Sequence, residues 1–378
     1  MRAVVLVGGG ILFVALSGSP LGSQAQAPAP AQGPQPQGQG AAPQDGATAR
    51  GRRGGGPATP RVPLLPTPEL TARPTPDADG NFVIGPPYDP APELTVKPGV
   101  PVGTIHEFTM ESTDSKIYPG IARNRPGEVV PYTRRVAVYV PAQYKPGTPA
   151  PFIVAQDGLS ATYRASLPPI LDNLIHEKRV PAMIAVMVHN GGGDAQGSQR
   201  GLEYDTVSGV YTQFIETEVL PRIARDYGIR FTSDPEGRAT MGGSSGAACA
   251  FTMAWFHPEL YRRVLSYSGT YVDQESPENP ASPRGAWEYH ATFIPNSPPK
   301  PIRVWMHVSE RDNRYWDQEE TWHNWVLAND RMAAALKAKG YKYQYVYTRD
   351  SGHTERRMIE NTLPEALEYL WKGYAGGK

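Results

Sequence analysis

From about residue 103 onward, short apolar runs alternate with longer segments whose apolar residues return every three or four positions. Residues 151–155 and 182–188 are almost continuously apolar, as strands buried on both faces are. Residues 238–241, 263–267 and 302–308 read as further short strands. Residues 106–110 and 134–141 look like outer strands, the second ended by Pro141 and the turn at 145–147, and 341–347 alternates as another outer strand. Between them lie helical patterns. Phe214, Ile215, Val219, Leu220 and Ile223 share one face of 211–227. Residues 171–176 fit part of a helix, and 325–339 places Leu327, Met332 and Leu336 inward before Gly340 ends it. Residues 360–371 form a final helix, and 271–299 is an irregular insertion. Strands separated by helices predict an α/β fold, with a mostly parallel central sheet covered by helices on both faces.

The first hundred residues break this pattern. Met1 and Arg2 precede an apolar run over 3–16, and Ser23, Gln24 and Ala25 offer small residues at cleavage-site spacing. Residues 1–25 therefore read as a secretory signal peptide, with an anchoring helix as the alternative, for which the run is short. No other stretch is long and apolar enough to span a bilayer, so the expectation is an exported chain, periplasmic or extracellular, without stable membrane insertion after cleavage. Residues 26–65 are rich in Ala, Pro, Gln and Gly and cannot bury enough apolar surface to offset their ordering entropy, which predicts a disordered tether. Residues 66–102 keep the prolines but add Phe82, Val83, Ile84 and Tyr88 as anchors, and read as an irregular arm on a catalytic domain of 103–378.

Charge and cysteine content narrow the function classes. Arg50, Arg52 and Arg53 make a basic patch, but 37 basic residues balance 37 acidic ones, so a nucleic-acid partner is not expected. The single cysteine, Cys249, excludes an internal disulfide and a cysteine-built metal site, and packs as a small apolar group.

The candidate chemistry centres on Gly242-Gly243-Ser244-Ser245-Gly246, which fits Gly-x-Ser-x-Gly. A short strand precedes it, and a helical segment with Phe251, Met253 and Trp255 follows. That is the context of a nucleophile elbow, where glycines let strand and helix approach a strained serine. A plain Gly/Ser turn is the alternative. A serine hydroxyl needs a base and an orienting carboxylate, in the order Ser, acid, His. Of the eight histidines, His353 directly follows the last strand and precedes the last helix, where the base is required. His106, His189 and His307 fall in or at the ends of strands, His176, His257 and His323 in or beside helices, and His290 in the insertion. After the 302–308 strand, Glu310 and Asp312 both qualify as the acid by position. The oxyanion of a tetrahedral intermediate needs preorganised donors. The backbone amide of Ser245 is one; the second comes from the loop 157–159, with the Leu159 amide preferred and Gly158 giving the backbone its freedom. Asp157, which precedes Ser244, suits an orienting role. Arg200 and Tyr204 either face a polar substrate or belong to a structural Arg–Glu pair. Trp287, Trp316, Trp322 and Trp325 bracket the acid loop and the insertion. One or two of them, with Trp287 and Trp316 as candidates, are placed to stack on a sugar or phenolic ring, while core packing suits Trp325.

These residues resemble the Putative esterase family of α/β hydrolases, which includes enterochelin-esterase-like enzymes, feruloyl and acetylxylan esterases, S-formylglutathione hydrolase and the mycolyltransferases. The likeness covers about residues 103–370 and is strongest at 200–204 with 218–221, at 242–246, at Asp312 with 325–332, and at Gly352 and His353. The resemblance implies the α/β-hydrolase fold, a Ser244–Asp312–His353 triad (so Asp312 over Glu310) and 157–159 as oxyanion loop. Ser309 and Ala247 stand where the family often has glycine. Residues 26–100 are too proline-rich to match the separate N-terminal domain of full enterochelin esterases, which counts against an iron-siderophore role. The implied activity is serine carboxylic-ester hydrolysis without metal or organic cofactor, on a small-molecule or carbohydrate-linked ester such as a feruloyl or acetyl ester of plant polysaccharide. Siderophore-ester hydrolysis and acyl transfer are the alternatives within the family. A binding module that had lost catalysis would lack one of the three residues, and all three stand in order. Nothing in the sequence fixes the oligomeric state.

Overall fold

The computed structural model describes residues 61–121, 127–191 and 199–375. The expected signal peptide, the basic patch and most of the expected tether lie outside the described residues. Nine strands form one sheet: β1 (Gly80–Ile84), β2 (Thr104–Glu111), β3 (Thr133–Val140), β4 (Phe152–Gln156), β5 (Ile184–Val188), β6 (Arg238–Gly243), β7 (Arg263–Tyr267), β8 (Arg303–Arg311) and β9 (Lys342–Gly352). Their order is β1-β9-β8-β7-β6-β4-β5-β3-β2. β2 and β3 pair antiparallel, as do β3 and β5, and every other pairing is parallel. This is the α/β-hydrolase fold expected from the sequence.

The period of two along each strand decides which helices cover which face. Ile153, Ala185, Met241, Leu265 and Trp305 point to one side. There they meet α1 (Ala161–His176) through Leu167, Ile170, Leu171 and Leu174, and a C-terminal helix (Arg356–Trp371) through Met358, Leu363, Leu367 and Leu370. Phe152, Val154, Ile184, Val186, Val264, Val304 and Met306 point to the other side. That face is covered by α2 (Gln199–Tyr204), by α3 (Val210–Phe214) running through a π-turn into α4 (Leu220–Tyr227), and by α5 (Ser245–Phe256). The expected irregular insertion contains short helical turns ending in α6 (Ile294–Asn296), and α7 (Trp325–Ala338) and α8 (Arg356–Trp371) follow. Each face of the sheet buries its own apolar cluster under its helices, and Cys249 is a buried free thiol in the one that includes α5.

Several elements depart from the sequence reading. Residues 134–141 and 341–347 are not outer strands, because β3 lies between β2 and β5, and β1 from the arm pairs with β9 in parallel, Phe82 opposite Val346. Phe82, Val83 and Ile84 thus extend the sheet, although the arm reads as irregular. The helix expected at 171–176 begins ten residues earlier at Ala161, and Pro168 and Pro169 inside it disguise the pattern, since proline normally breaks a helix. The last helix likewise starts at Arg356 and runs through Pro364. Residues 61–65, taken as tether, touch the domain: Leu64 N donates to Tyr315 O at 3.3 Å, and the Arg61 guanidinium lies 3.6 Å above the Trp316 ring.

Candidate active site

The turn from β6 to α5 holds Ser244 at φ 58° and ψ −127°, a left-handed region that a non-glycine residue occupies only under strain. A Cβ on Gly242 would fall 2.4 Å from the Gly246 carbonyl carbon, so strand and helix pack this closely only with glycine there. The Ser244 backbone is fixed from the next strand, its N–H donating to Tyr267 O at 2.9 Å and its carbonyl accepting from Thr270 N at 3.2 Å. The Ser244 hydroxyl lies 3.3 Å from Thr270 Oγ1. Among the described residues its partner is Thr270 and not His353, a loose arrangement common before substrate is bound.

Asp312 and His353 come together from the ends of β8 and β9. His353 Nδ1 is 2.5 Å from Asp312 Oδ1. The carboxylate is fully buried and also accepts from Asn313 N at 2.8 Å and Ser309 N at 3.2 Å. Burial alone would raise its pKa, but the His353 charge and the hydrogen bonds from His353, Ser268 and Asn313 hold it below the usual carboxylate range. With Nδ1 engaged, Nε2 is the His353 nitrogen left to move a proton. The loop carrying His353 is set beside the elbow: Thr354 N donates to Ser268 Oγ at 3.3 Å, and a Cβ on Gly243 would lie 3.2 Å from Thr354 Cγ2. Trp325 closes the other side, edge-on to the imidazole with ring centroids 6.2 Å apart. Glu310, the positional rival, turns elsewhere. Its carboxylate accepts from Asp350 N at 2.7 Å and from the Thr67 hydroxyl, which ties the arm to β9. His307, within β8, is a core residue whose Nε2 contacts Thr348 Oγ1 at 2.8 Å; burial pushes its ring down to about 3, which keeps it neutral.

On the opposite side, the Leu159 N–H has no acceptor among the described residues, and Ser245 N–H heads α5, where no intrahelical acceptor exists. Gly158 N–H is already bonded to Ala155 O at 3.1 Å, so Gly158 serves the turn and is not itself a free donor. A Cβ there would meet Met187 Cβ at 2.7 Å. Asp157 (φ 54°) takes two hydrogen bonds from Arg200, at 3.0 and 2.7 Å, and one from Asn190 at 3.2 Å. Arg200 also reaches Gly243 O at 3.3 Å, so one guanidinium couples the 157–159 loop to the elbow. The structural Arg–Glu pair does exist, but its arginine is Arg134, which is buried against Glu203 with Tyr132.

Several expected substrate contacts are placed differently. Tyr204 is buried, and its hydroxyl accepts from Asp157 N at 3.3 Å, so it supports the loop from behind. Trp287 is 2% exposed and packs against His290, which removes it from the pocket wall. Trp316 is covered by Arg61. Trp322, 38% exposed with Arg284 5.6 Å from its ring, is the tryptophan that presents a face to solvent. Thr270, Ser268, Asp205 and Gln274 were not singled out from the sequence; their types and spacing carry no signal, and only the meeting of separate loops reveals them. Among the described residues no group of three or more His, Cys, Asp or Glu side chains could hold a metal ion, and no helix is long and apolar enough to cross a membrane.

The strained Ser244 lies at the β6–α5 turn, and a hydrogen-bonded acid and histidine lie at the ends of β8 and β9. The Putative esterase family model matches residues 128–370. The chain belongs to this family. No curated protein matches the esterase chain. Among solved structures, it is similar to the enterobactin esterase FES from Shigella flexneri, with TM-score 0.54 and 18% identity over 77% of this chain and 64% of that one. The esterase therefore spans just under two thirds of that neighbour's length. It is also similar to the CE1 ferulic acid esterase AmCE1/Fae1A from the anaerobic fungus Anaeromyces mucronatus, with TM-score 0.52 and 15% identity over 75% of this chain and 96% of that one. A further ferulic acid esterase has TM-score 0.51 and 16% identity over 71% and 98% of the two chains. At these identities the likeness speaks for the fold.

Proposed function

We propose that this esterase hydrolyses carboxylic esters through an acyl-enzyme on Ser244. The observation that carries the reading is the Asp312–His353 hydrogen bond beside a strained serine at the head of α5. His353 Nε2 takes the Ser244 proton as Oγ attacks the ester carbonyl, while Asp312 fixes the tautomer and steadies the imidazolium. The Leu159 and Ser245 N–H groups receive the oxyanion, and α5 contributes the positive end of its dipole. Collapse expels the alcohol, which takes its proton from His353. Water then attacks the acyl-enzyme with His353 again as base, and release of the carboxylic acid regenerates Ser244. Asp157 and Arg200 hold the oxyanion loop and do not meet the substrate.

The substrate proposed is a feruloyl or acetyl ester of plant polysaccharide, met outside the cytoplasm by an exported chain, with Trp322 as the exposed ring for stacking. Likeness to an enterobactin esterase keeps a siderophore ester as the second reading. Turnover of acetyl-xylan, a feruloyl arabinoside and a catecholate trilactone by the same preparation tests the choice. Release of ferulate or acetate at least tenfold faster than opening of the trilactone is expected; the reverse order transfers the function to the second reading, and no turnover of any ester contradicts both.

A further inference from the structure

Helix α5 begins without a side-chain cap, because the residue in the capping position is Ser244 and its hydroxyl points to Thr270 instead. The first turn must be anchored some other way. Ser245, 1% exposed, follows immediately, and its hydroxyl lies 3.3 Å from Gln274 Nε2. The same Nε2 donates to Asp205 Oδ2 at 3.0 Å. Asp205 is 6% exposed, follows the last residue of α2, and is fixed by its own N–H donating to Gly201 O at 2.8 Å. The other Asp205 oxygen is buried and without a hydrogen-bond partner among the described residues. A second stitch joins the same two segments, Val207 N donating to Glu275 Oε1 at 2.9 Å. The loop after α2 and the insertion after β7 are thus sewn together directly behind the head of α5.

We propose that Asp205 is a positioning residue of the oxyanion site, fixing Gln274 against the Ser245 hydroxyl so that the Ser245 N–H stays aimed at the acyl oxygen. The inference rests on the acyl-enzyme reading above. Leaving a carboxylate oxygen buried and unpaired is costly, and such a group persists where the surroundings require its partner bonds. The charges facing it are Arg200 on α2 and Asp157 on the oxyanion loop; on α5 the Cys249 thiol is also titratable, but burial pushes it up and keeps it neutral. Burial pushes the carboxyl up to about 6, against the pull of Arg200, Gln274 and the Ser245 hydroxyl, and Asp157 adds to the push. Gln274 therefore has an acceptor on Asp205 in either protonation state, since a neutral carboxyl keeps a carbonyl oxygen.

The test is steady-state hydrolysis of p-nitrophenyl acetate by the full chain and by D205A, Q274A, D205N and the D205A/Q274A double variant, with fluorophosphonate titration counting folded sites. D205A and Q274A are each expected to lower kcat by roughly 10- to 100-fold with KM within about threefold, the scale of a small misplacement in a catalytic constellation. The double variant is expected to lose no more than the larger single loss, because both act through one chain of contacts. D205N, whose amide oxygen still accepts from Gln274, recovers most of the rate. Wild-type kcat in Q274A, or independent losses that multiply in the double variant, overturns the proposal even where D205A fails to fold. A wild-type chain that neither hydrolyses the ester nor takes the fluorophosphonate contradicts the acyl-enzyme reading itself.

Discussion

The two sides of Ser244 are built by different means. On the acid–base side, Asp312 and His353 sit at the ends of adjacent strands, β8 and β9, and meet through one hydrogen bond made by the sheet register. On the oxyanion side nothing is adjacent in this way. Arg200 from α2 couples Asp157 to Gly243 O, while Asp205 and Gln274 reach the head of α5 from two other loops. A strand end is placed by a whole sheet, whereas the oxyanion side depends on side chains bridging loops. Damage to the first side should therefore be chemical and leave the shape intact. Damage to the second should be geometric and partial.

The largest expected effect separates the nucleophile from its neighbour. S244A should lower kcat/KM by on the order of 10⁶-fold, leaving only what binding and oxyanion stabilisation supply. S245A keeps its backbone donor and should cost about tenfold, through loss of the Gln274 contact; progress curves on one ester measure both. Next comes the acid. D312N should lower kcat by roughly 10³–10⁴-fold with the fold retained, since the amide favours the wrong imidazole tautomer. E310Q should change kcat by less than about threefold, because Glu310 binds Thr67 and Asp350 and not His353. Equal losses at the two positions would erase the distinction.

On the oxyanion side, R200A should reduce kcat by about 10- to 100-fold, by freeing the Asp157 loop from the elbow, while circular dichroism stays unchanged. A loss as large as that of D312N would mean that Arg200 meets the substrate.

Much of the acid–base side was readable from sequence, because the chemistry demands an order of residues and the strand ends are marked by apolar runs. Gly242 advertises the elbow because a Cβ there would fall 2.4 Å from the Gly246 carbonyl carbon. On the oxyanion side the candidate donors were legible at Ser245, next after the elbow serine, and at 157–159, where the loop follows a central strand. Asp205, Gln274 and Thr270 were invisible because their contacts join segments with no shared period. Tyr204 and Trp287, candidates for substrate contact by sequence, are buried; a large aromatic suits a pocket or a core equally well, and only burial decides. β1 was missed because three apolar residues among prolines give too short a pattern for a strand, and its pairing partner lies more than 260 residues away.

Stability offers a smaller test of the same contrast. A carboxyl whose folded pKa is raised to about 6 binds its proton more tightly in the folded than in the unfolded chain. Wild-type stability should accordingly fall as pH rises from about 4 to about 6 and then level off, and D205N should lack that fall. The gain of D205N over wild type should grow to about 3 kcal/mol at most above pH 6, read from urea midpoints. A difference independent of pH would show that Asp205 does not titrate in this range.

The smallest effect concerns the segment 61–67, which touches the acid loop and the end of β8 through Arg61, Leu64 and Thr67. A chain starting at residue 68 should melt about 2–4 °C below one starting at residue 61, equivalent to roughly 1 kcal/mol of surface contacts. Equal melting temperatures would make those contacts incidental.

The central claim is that Ser244 carries the covalent step, and it is tested most directly by labelling with a fluorophosphonate followed by peptide mass mapping. A single adduct on Ser244, absent from S244A and slowed in D312N, is the predicted result. An adduct on Ser245, or undiminished labelling and ester turnover in S244A, would contradict it.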